Sequence, residues 1–229
     1  MRTLARTLRP QVRDKYPAAD GRPMAETDLH RLLIVDLIDS LDAFYNADPM
    51  VYVSGNLLLF YVPGDRRRHV SPDVFVVKGV PKQRRRNFLV WEEGKGPDAV
   101  FEITSASTRE EDEDDKFWLY QDTLRVPEYF LFDPLGEYLN PPLKGYRLRD
   151  GKYIPIRPVR GRLPSRVLGL HLERSGSELR LFDPTSKKWL PTLRERIVQA
   201  EKAQQVVEQE NARLKKQLDD LRRRLTNGR

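Results

Sequence analysis

GPDAVFEITSASTREEDEDDKFWLYQ, residues 96–121, opens as a buried strand and closes as a helix. Ala99, Val100, Phe101 and Ile103 make an apolar run, yet Glu102 stands in the middle of it. A carboxylate without a partner inside a sheet is expensive, so Glu102 must meet a cation. An arginine or lysine in a salt bridge is one answer. A hard metal ion is the other, because Mg²⁺ is held by one or two carboxylates with water completing its octahedron. Alternate residues of a strand share a face, which groups Glu102 with Val100 and Thr104. A helix is expected from about residue 109 to 122, beginning in a dense acidic run, Glu110–Asp115.

Working outward, Ser71-Pro72-Asp73 precedes the apolar run Val74–Val77. Ser-Pro-Asp reads as a turn leading into a strand. It also reads as a second acid-bearing strand whose carboxylate converges with that of Glu102 on one metal. Lys116 follows Asp112 by four residues, the spacing of a surface helical salt bridge worth a few tenths of a kcal/mol. Its functional reading sets the ammonium beside a metal-bound water or a scissile phosphate, where it offsets charge in the transition state. Two acids, a hard metal and a nearby cation form a hydrolytic site for phosphodiesters.

The 229 residues suffice for one core and an appendage. No cysteine is present, which removes disulfides and thiolate metal sites and fits a cytoplasmic setting. No apolar run is long enough to cross a bilayer, and the basic first residues lack the apolar stretch of a signal peptide. Residues 1–24 read as an irregular arm. A helix capped at Thr27 or Asp28 runs to about Asn46, and strands are expected near 51–62, broken at Ser54-Gly55-Asn56. Further strands are expected at 73–77, 98–104, 129–132, 145–149, 152–156 and 178–182. Helix, strands, helix, strand describes an α/β (α+β) domain over 25–190 with a central mixed sheet flanked by helices. Trp118 is expected in its core.

Residues 191–229 differ in kind. Leu193, Ala200, Val207, Leu214 and Leu221 repeat every seven residues, with Ile197, Gln204, Asn211, Leu218 and Leu225 between them. That is a heptad seam, read as a homodimeric coiled coil or as one amphipathic helix lying on its own domain; Asn211 at a core position suits a register-fixed dimer. The net charge of +7 permits a polyanionic partner such as DNA. Arg66, Arg67 and Arg68 and then Arg84, Arg85 and Arg86 read as solvated loops or as two flanks of one phosphate-binding cleft.

The segments SPD, DAVFEITSASTREEDEDDKFWLY and VPEYFLFD resemble the Uma family of restriction endonucleases, within the PD-(D/E)XK nuclease superfamily. Pro72-Asp73 matches the superfamily's Pro-Asp, and Glu102 its second acid. Thr104 stands where the superfamily lysine would, and the family pattern carries that lysine on the following helix: Ser105, Ser107 and Thr108, then Asp112, Lys116 and Tyr120 at steps of four. The resemblance covers about residues 26–135 and implies a restriction-endonuclease-like core and a Mg²⁺- or Mn²⁺-dependent endonuclease acting on DNA. Asp73 and Glu102 would hold the metal, with the Ile103 carbonyl as a further candidate ligand, and Lys116 would assist the attacking water. The family's N-terminal acid has no clear counterpart; only Glu26 or Asp28 stands near its place. His30 matches a histidine at the start of the family's long helix, without an assigned role. A non-catalytic, dimeric nucleic-acid-binding or scaffold protein on the same fold is the alternative reading.

Overall fold

The computed structural model describes residues 16–17, 27–105, 108 and 110–227. Most of the expected 1–24 arm, Glu26, Ser107 and the side chains of Leu221 and Leu225 lie outside them. The chain divides into two compact units, 1–190 and 191–229.

The first unit is a mixed α+β fold. Helix α1 (Asp28–Phe44) starts where Thr27 accepts a hydrogen bond from the His30 amide at 3.2 Å, the cap that short polar side chains provide. The strands β1 (Val51–Ser54), β2 (Leu59–Phe60), β3 (His69–Val70), β4 (Val74–Lys78) and β5 (Phe88–Leu89) follow, then a single turn, α2 (Val90–Glu93). β6 (Ala99–Ile103) leads into helix α3, in which π turns Glu111–Asp115 and Leu119–Thr123 flank an α turn Lys116–Trp118. β7 (Glu128–Phe132), β8 (Leu143–Arg149) and β9 (Lys152–Pro155) complete a sheet of order β1-β4-β6-β7-β8-β9. Only β6 and β7 run parallel within it, because α3 is the crossover that a parallel pair requires.

Period-two alternation sorts the side chains of this sheet into two cores. Val74, Val76, Ala99, Phe101 and Ile103 join Leu33, Ile34, Leu37 and Leu41 of α1. Phe75, Val77, Val100, Tyr129 and Leu131 meet Tyr120 of α3 and Leu59, Val70 and Phe88 of a small sheet of order β3-β2-β5. Each fully buried side chain of this size stabilises by about 1.5–3 kcal/mol. The first core also receives Leu163, Leu172 and Leu181 from a four-stranded sheet, β10 (Leu163–Pro164), β11 (His171–Ser175), β12 (Glu178–Asp183) and β13 (Lys188–Trp189). Of these four strands only β12 is legible in the sequence; β10 and β13 are two residues long. The second unit is one long helix, α4 (Leu193–Asn227). No helix among the described residues is long and apolar enough to cross a membrane.

Candidate active site

β4 and β6 pair antiparallel with Val74 opposite Phe101, which sets Asp73 and Glu102 level on adjacent chains. Their backbones and carboxylates interlock. The Asp73 amide lies 3.3 Å from Glu102 Oε2, and the Ile103 amide donates to Asp73 Oδ2 at 2.7 Å. A carboxylate oxygen only accepts, so His30 donates from Nε2 to the same Asp73 Oδ2, at 3.0 Å. The histidine without an assigned role thus fixes the first acid from the start of α1.

Behind Asp73 sits Gly55. A Cβ at Gly55 would stand 2.0 Å from the Asp73 carbonyl oxygen, and the Asn56 amide donates to the Pro72 carbonyl at 2.9 Å. Only glycine permits this approach. Gly55→Ala is expected to push Asp73 out of register and to cost about 1–3 kcal/mol, as other overpacked sites do; urea unfolding would show it, and an unchanged midpoint would refute the tight contact.

Helix α3 lays a line of three side chains over Glu102. Lys116 Nζ donates to Glu102 Oε2 at 2.9 Å and lies 2.8 Å from Asp112 Oδ1. The Tyr120 hydroxyl donates to Glu102 Oε1 at 2.6 Å. The helix geometry explains the alignment. In an α-helix of 3.6 residues per turn, residues four apart drift around the axis. The wider π turns, in which the Lys116 amide bonds back to the Glu111 carbonyl, reduce that drift, and such turns recur at functional sites.

The expected surface salt bridge is therefore a buried one: the Asp112 and Lys116 side chains are only 2% and 14% exposed. Tyr129 closes the site from below by donating its hydroxyl to the Asp112 carbonyl at 2.8 Å. Burial pushes the Glu102 carboxyl up to about 8, with the Lys116 ammonium pulling it down and the Asp73 and Asp112 carboxylates adding to the rise. Burial raises Asp112 as well, against the pull of Lys116. Burial works against the charge of Lys116, but Glu102, Asp112 and Asp73 outweigh it, so its pKa rises.

These shifts fix the sign of a pH effect. Between the ordinary carboxyl range and about 8, the folded protein holds a proton on Glu102 that the unfolded chain has released. The corresponding stability is complete below the unfolded pKa and is lost as pH climbs through the folded one. The melting temperature of metal-free protein is expected to fall from pH 6 to pH 9, with a shallower slope in Glu102→Gln. Calorimetry across that window checks it, and a rising melting temperature would be the contrary result.

The donor set suits a hard cation. Three carboxylates face one lysine ammonium and one imidazole, and like charges this close disfavour one another. Asp112 Oδ1 accepts no hydrogen bond; Lys116 approaches it as an ion pair without hydrogen-bond geometry. Among the described residues no group of three or more His, Asp or Glu side chains is placed to hold a metal ion; Asp73 and Glu102 supply the one or two carboxylates that Mg²⁺ ordinarily takes with water.

The other candidates are scattered. Arg67 lines a hollow of about 310 Å³ with His69, Ser71, Glu111, Asp115 and Lys116. Arg68 lies 5.9 Å from the centre of the Tyr61 ring, and the Arg66 carbonyl bonds His69 Nδ1. Arg84 and Arg85 line a different hollow, with Tyr52 and Ser54. Arg85 is a structural residue: its side chain is fully buried, holds both Glu93 oxygens at 2.8 Å and stacks 4.1 Å from the Tyr52 ring. Arg86 has a partner of its own. Trp118 is 52% exposed rather than in the core; its neighbour Phe117 takes the inward place, against Tyr146 and Tyr153. The acidic run divides its work. Asp112 enters the site, Glu113 pairs with Lys144 at 2.7 Å, and Glu111 and Asp115 line the hollow.

Comparison with known proteins gives one family: Uma2, described as "Putative restriction endonuclease", matches residues 5–178. A crystal structure described as a "putative nuclease belonging to DUF820", from Anabaena variabilis, superposes with a TM-score of 0.47 at 16% identity, covering 68% of this chain and 85% of that one. No curated protein matches the sequence.

Proposed function

We propose, on the premise that the chain belongs to the Uma2 restriction endonuclease family, that it is a Mg²⁺- or Mn²⁺-dependent endonuclease hydrolysing phosphodiester bonds in DNA. The observation that carries this reading is the meeting of Asp73 and Glu102, level on paired strands, with a buried ammonium held on Glu102. Asp73 and Glu102 would hold the metal, with the Ile103 carbonyl as a further oxygen ligand. The bound ion would supply a water of lowered pKa and neutralise charge on the phosphoryl oxygens.

The protein's own groups divide the remaining work. Lys116 keeps its proton, since three carboxylates raise its pKa; it acts as a fixed positive charge and not as a base. It orients the attacking water and offsets the charge that builds on the phosphate. His30 and the Ile103 amide hold Asp73 in place, and the Tyr120 hydroxyl holds Glu102. Arg67, at the rim of the adjoining hollow, is placed to contact a neighbouring phosphate. The test is nicking of supercoiled plasmid with Mg²⁺ and with chelator. Metal-dependent nicking supports the reading. Folded wild-type protein that binds DNA but never cuts it supports the non-catalytic alternative.

The assembly follows from α4, along which Ile197, Val207, Leu214 and Leu218 are exposed at heptad spacing. We infer a parallel homodimer through this seam, with Asn211 setting its register. Deleting residues 192–229 is expected to convert a dimer into a folded monomer, read by light scattering on both proteins. A monomeric full-length chain at micromolar concentration would overturn the inference.

A further inference from the structure

A second site lies on the four-stranded sheet, apart from the carboxylates. Val159, Arg160, Arg162, His171, Phe182, Pro184 and Lys187 line a cavity of about 520 Å³, within the range of sites that take small planar ligands. The sheet register builds its floor. Leu172 and Leu181 point into the core, and alternation turns His171, Phe182 and Trp189 to the opposite face, where they stand in one row across β11, β12 and β13.

Arg162 lies over that row. Its guanidinium carbon stands 4.0 Å from the centre of the Phe182 ring and 4.6 Å from that of Trp189. Glu173 fixes it by accepting from Nε at 2.6 Å. Fixed by Glu173 and packed over two rings that stand 69° apart, the guanidinium is a preformed stacking surface, and the entropy of ordering it is already spent within the fold. Glu173 also offsets its charge, so Arg162 serves by its plane more than by its sign.

The rim supplies the charge. Arg160 and Lys187 are exposed, and no ion pair to a described residue holds either of them. Among the described residues no acid lines the cavity; the nearest along the strands are Glu173, committed to Arg162, and Asp183, which accepts from the amides of Thr185 and Ser186. A guanidinium plane below and two exposed cations above match a nucleotide, with a base for the floor and phosphates for the rim.

We propose that this cavity binds an unpaired stretch of polynucleotide, one base stacked on the Arg162 guanidinium and its flanking phosphates held by Arg160 and Lys187. Stacking on aromatic and guanidinium planes is how single strands are gripped without sequence readout. A base still paired in a duplex cannot reach such a floor, so the site discriminates for unpaired strand. The proposal rests on the nuclease reading for the class of ligand; it adds a contact that holds a displaced or single-stranded segment away from the cutting site.

The experiment compares wild type with the double variant Arg160→Glu, Lys187→Glu by fluorescence anisotropy, using labelled single-stranded and duplex oligonucleotides in chelator. Both positions are exposed, and unfolding midpoints confirm that the variant folds. Single-strand affinity is expected to fall tenfold or more, with the salt slope reduced by about 1.4 for two lost single-strand phosphates. Duplex affinity and plasmid nicking are expected to persist. Tryptophan quenching by single strand is expected in wild type and not in Trp189→Phe. Equal single-strand binding by wild type and double variant overturns this site while leaving the nuclease reading intact. Plasmid that neither protein binds or cuts overturns the nuclease reading itself.

Discussion

Lys116→Ala is expected to lower metal-dependent cleavage by about a hundredfold or more, the usual effect of removing one preorganised charge from a transition state. Above about pH 8, where Glu102 is ionised, it is also expected to destabilise the fold by about 3–5 kcal/mol, because breaking a buried ion pair leaves its partners charged and unpaired. Glu102 and Asp112 would both lose the ammonium that now lies within 3 Å of each. The stability effect contradicts what an exposed i, i+4 pair would give, and it follows from burial alone. Two controls separate catalysis from folding. Asp112→Asn removes one acid but leaves Lys116 on Glu102, so it should retain most cleavage with a smaller stability loss. Mg²⁺ should stabilise Lys116→Ala more than wild type, since a cation then relieves two orphaned carboxylates. Nicking is measured at a temperature where circular dichroism shows all three proteins folded. A folded Lys116→Ala protein that cuts at the wild-type rate would remove the lysine from the chemistry.

Much of this arrangement could be read before the fold. Glu102 in an apolar strand and Asp73 before another are visible because a carboxylate inside a hydrophobic run breaks the pattern that strands impose. Their pairing follows once the two strands are neighbours. The inward place of Asp112 is harder to read, since an acid four residues before a lysine, inside an acidic run, looks like a solvated face. Tyr120, a further four residues on, belongs to the same line. An acid, a lysine and a tyrosine in strict steps of four mark an inward line, and a helix needs the slower winding of π turns to keep them aligned. His30 carried no comparable signal, because a histidine after a helix cap is common and its reach to Asp73 is a tertiary contact.

The misplaced residues have equally local causes. Phe117 and Trp118 compete for one inward position, and the smaller ring fills the space between Tyr129, Tyr146 and Tyr153. Nothing in the order of the two residues decides that. Arg85 is hidden between two arginines that resemble it in every sequence property. What distinguishes it is Glu93, eight residues on, which meets it only because the chain turns through β5 and α2. Most of the four-stranded sheet is illegible in the sequence, since β10 and β13 are too short for alternation to register. Its aromatic and basic row is visible only when the register brings His171, Phe182 and Trp189 together.

Asp73→Asn and Glu102→Gln are each expected to abolish cleavage and to remove the stabilisation that Mg²⁺ or Mn²⁺ gives wild-type protein. By mass action that stabilisation is about 2.7 kcal/mol when the free ion is a hundredfold above its Kd, large enough to read as a shift in melting temperature. Both variants should also lose stability when no metal is present. Asp73 Oδ2 accepts from both His30 and the Ile103 amide; an amide oxygen can accept both bonds but lacks the negative charge that strengthens them, so Asp73→Asn should lose stability. Glu102 is buried and its carboxyl is already pushed up to about 8, so a neutral glutamine of the same shape avoids the cost of burying charge. Tyr120 can still donate to the amide oxygen, but the NH₂ then replaces Oε2, which accepts from Lys116 and from the Asp73 amide. Glu102→Gln should therefore lose part of its stability together with the metal response. A purely structural Glu102 would lose stability and keep the response. Should both variants retain the full Mg²⁺ shift, the ion is held by other oxygens. Glu111 and Asp115, which line the hollow beside Lys116, are then the acids to replace.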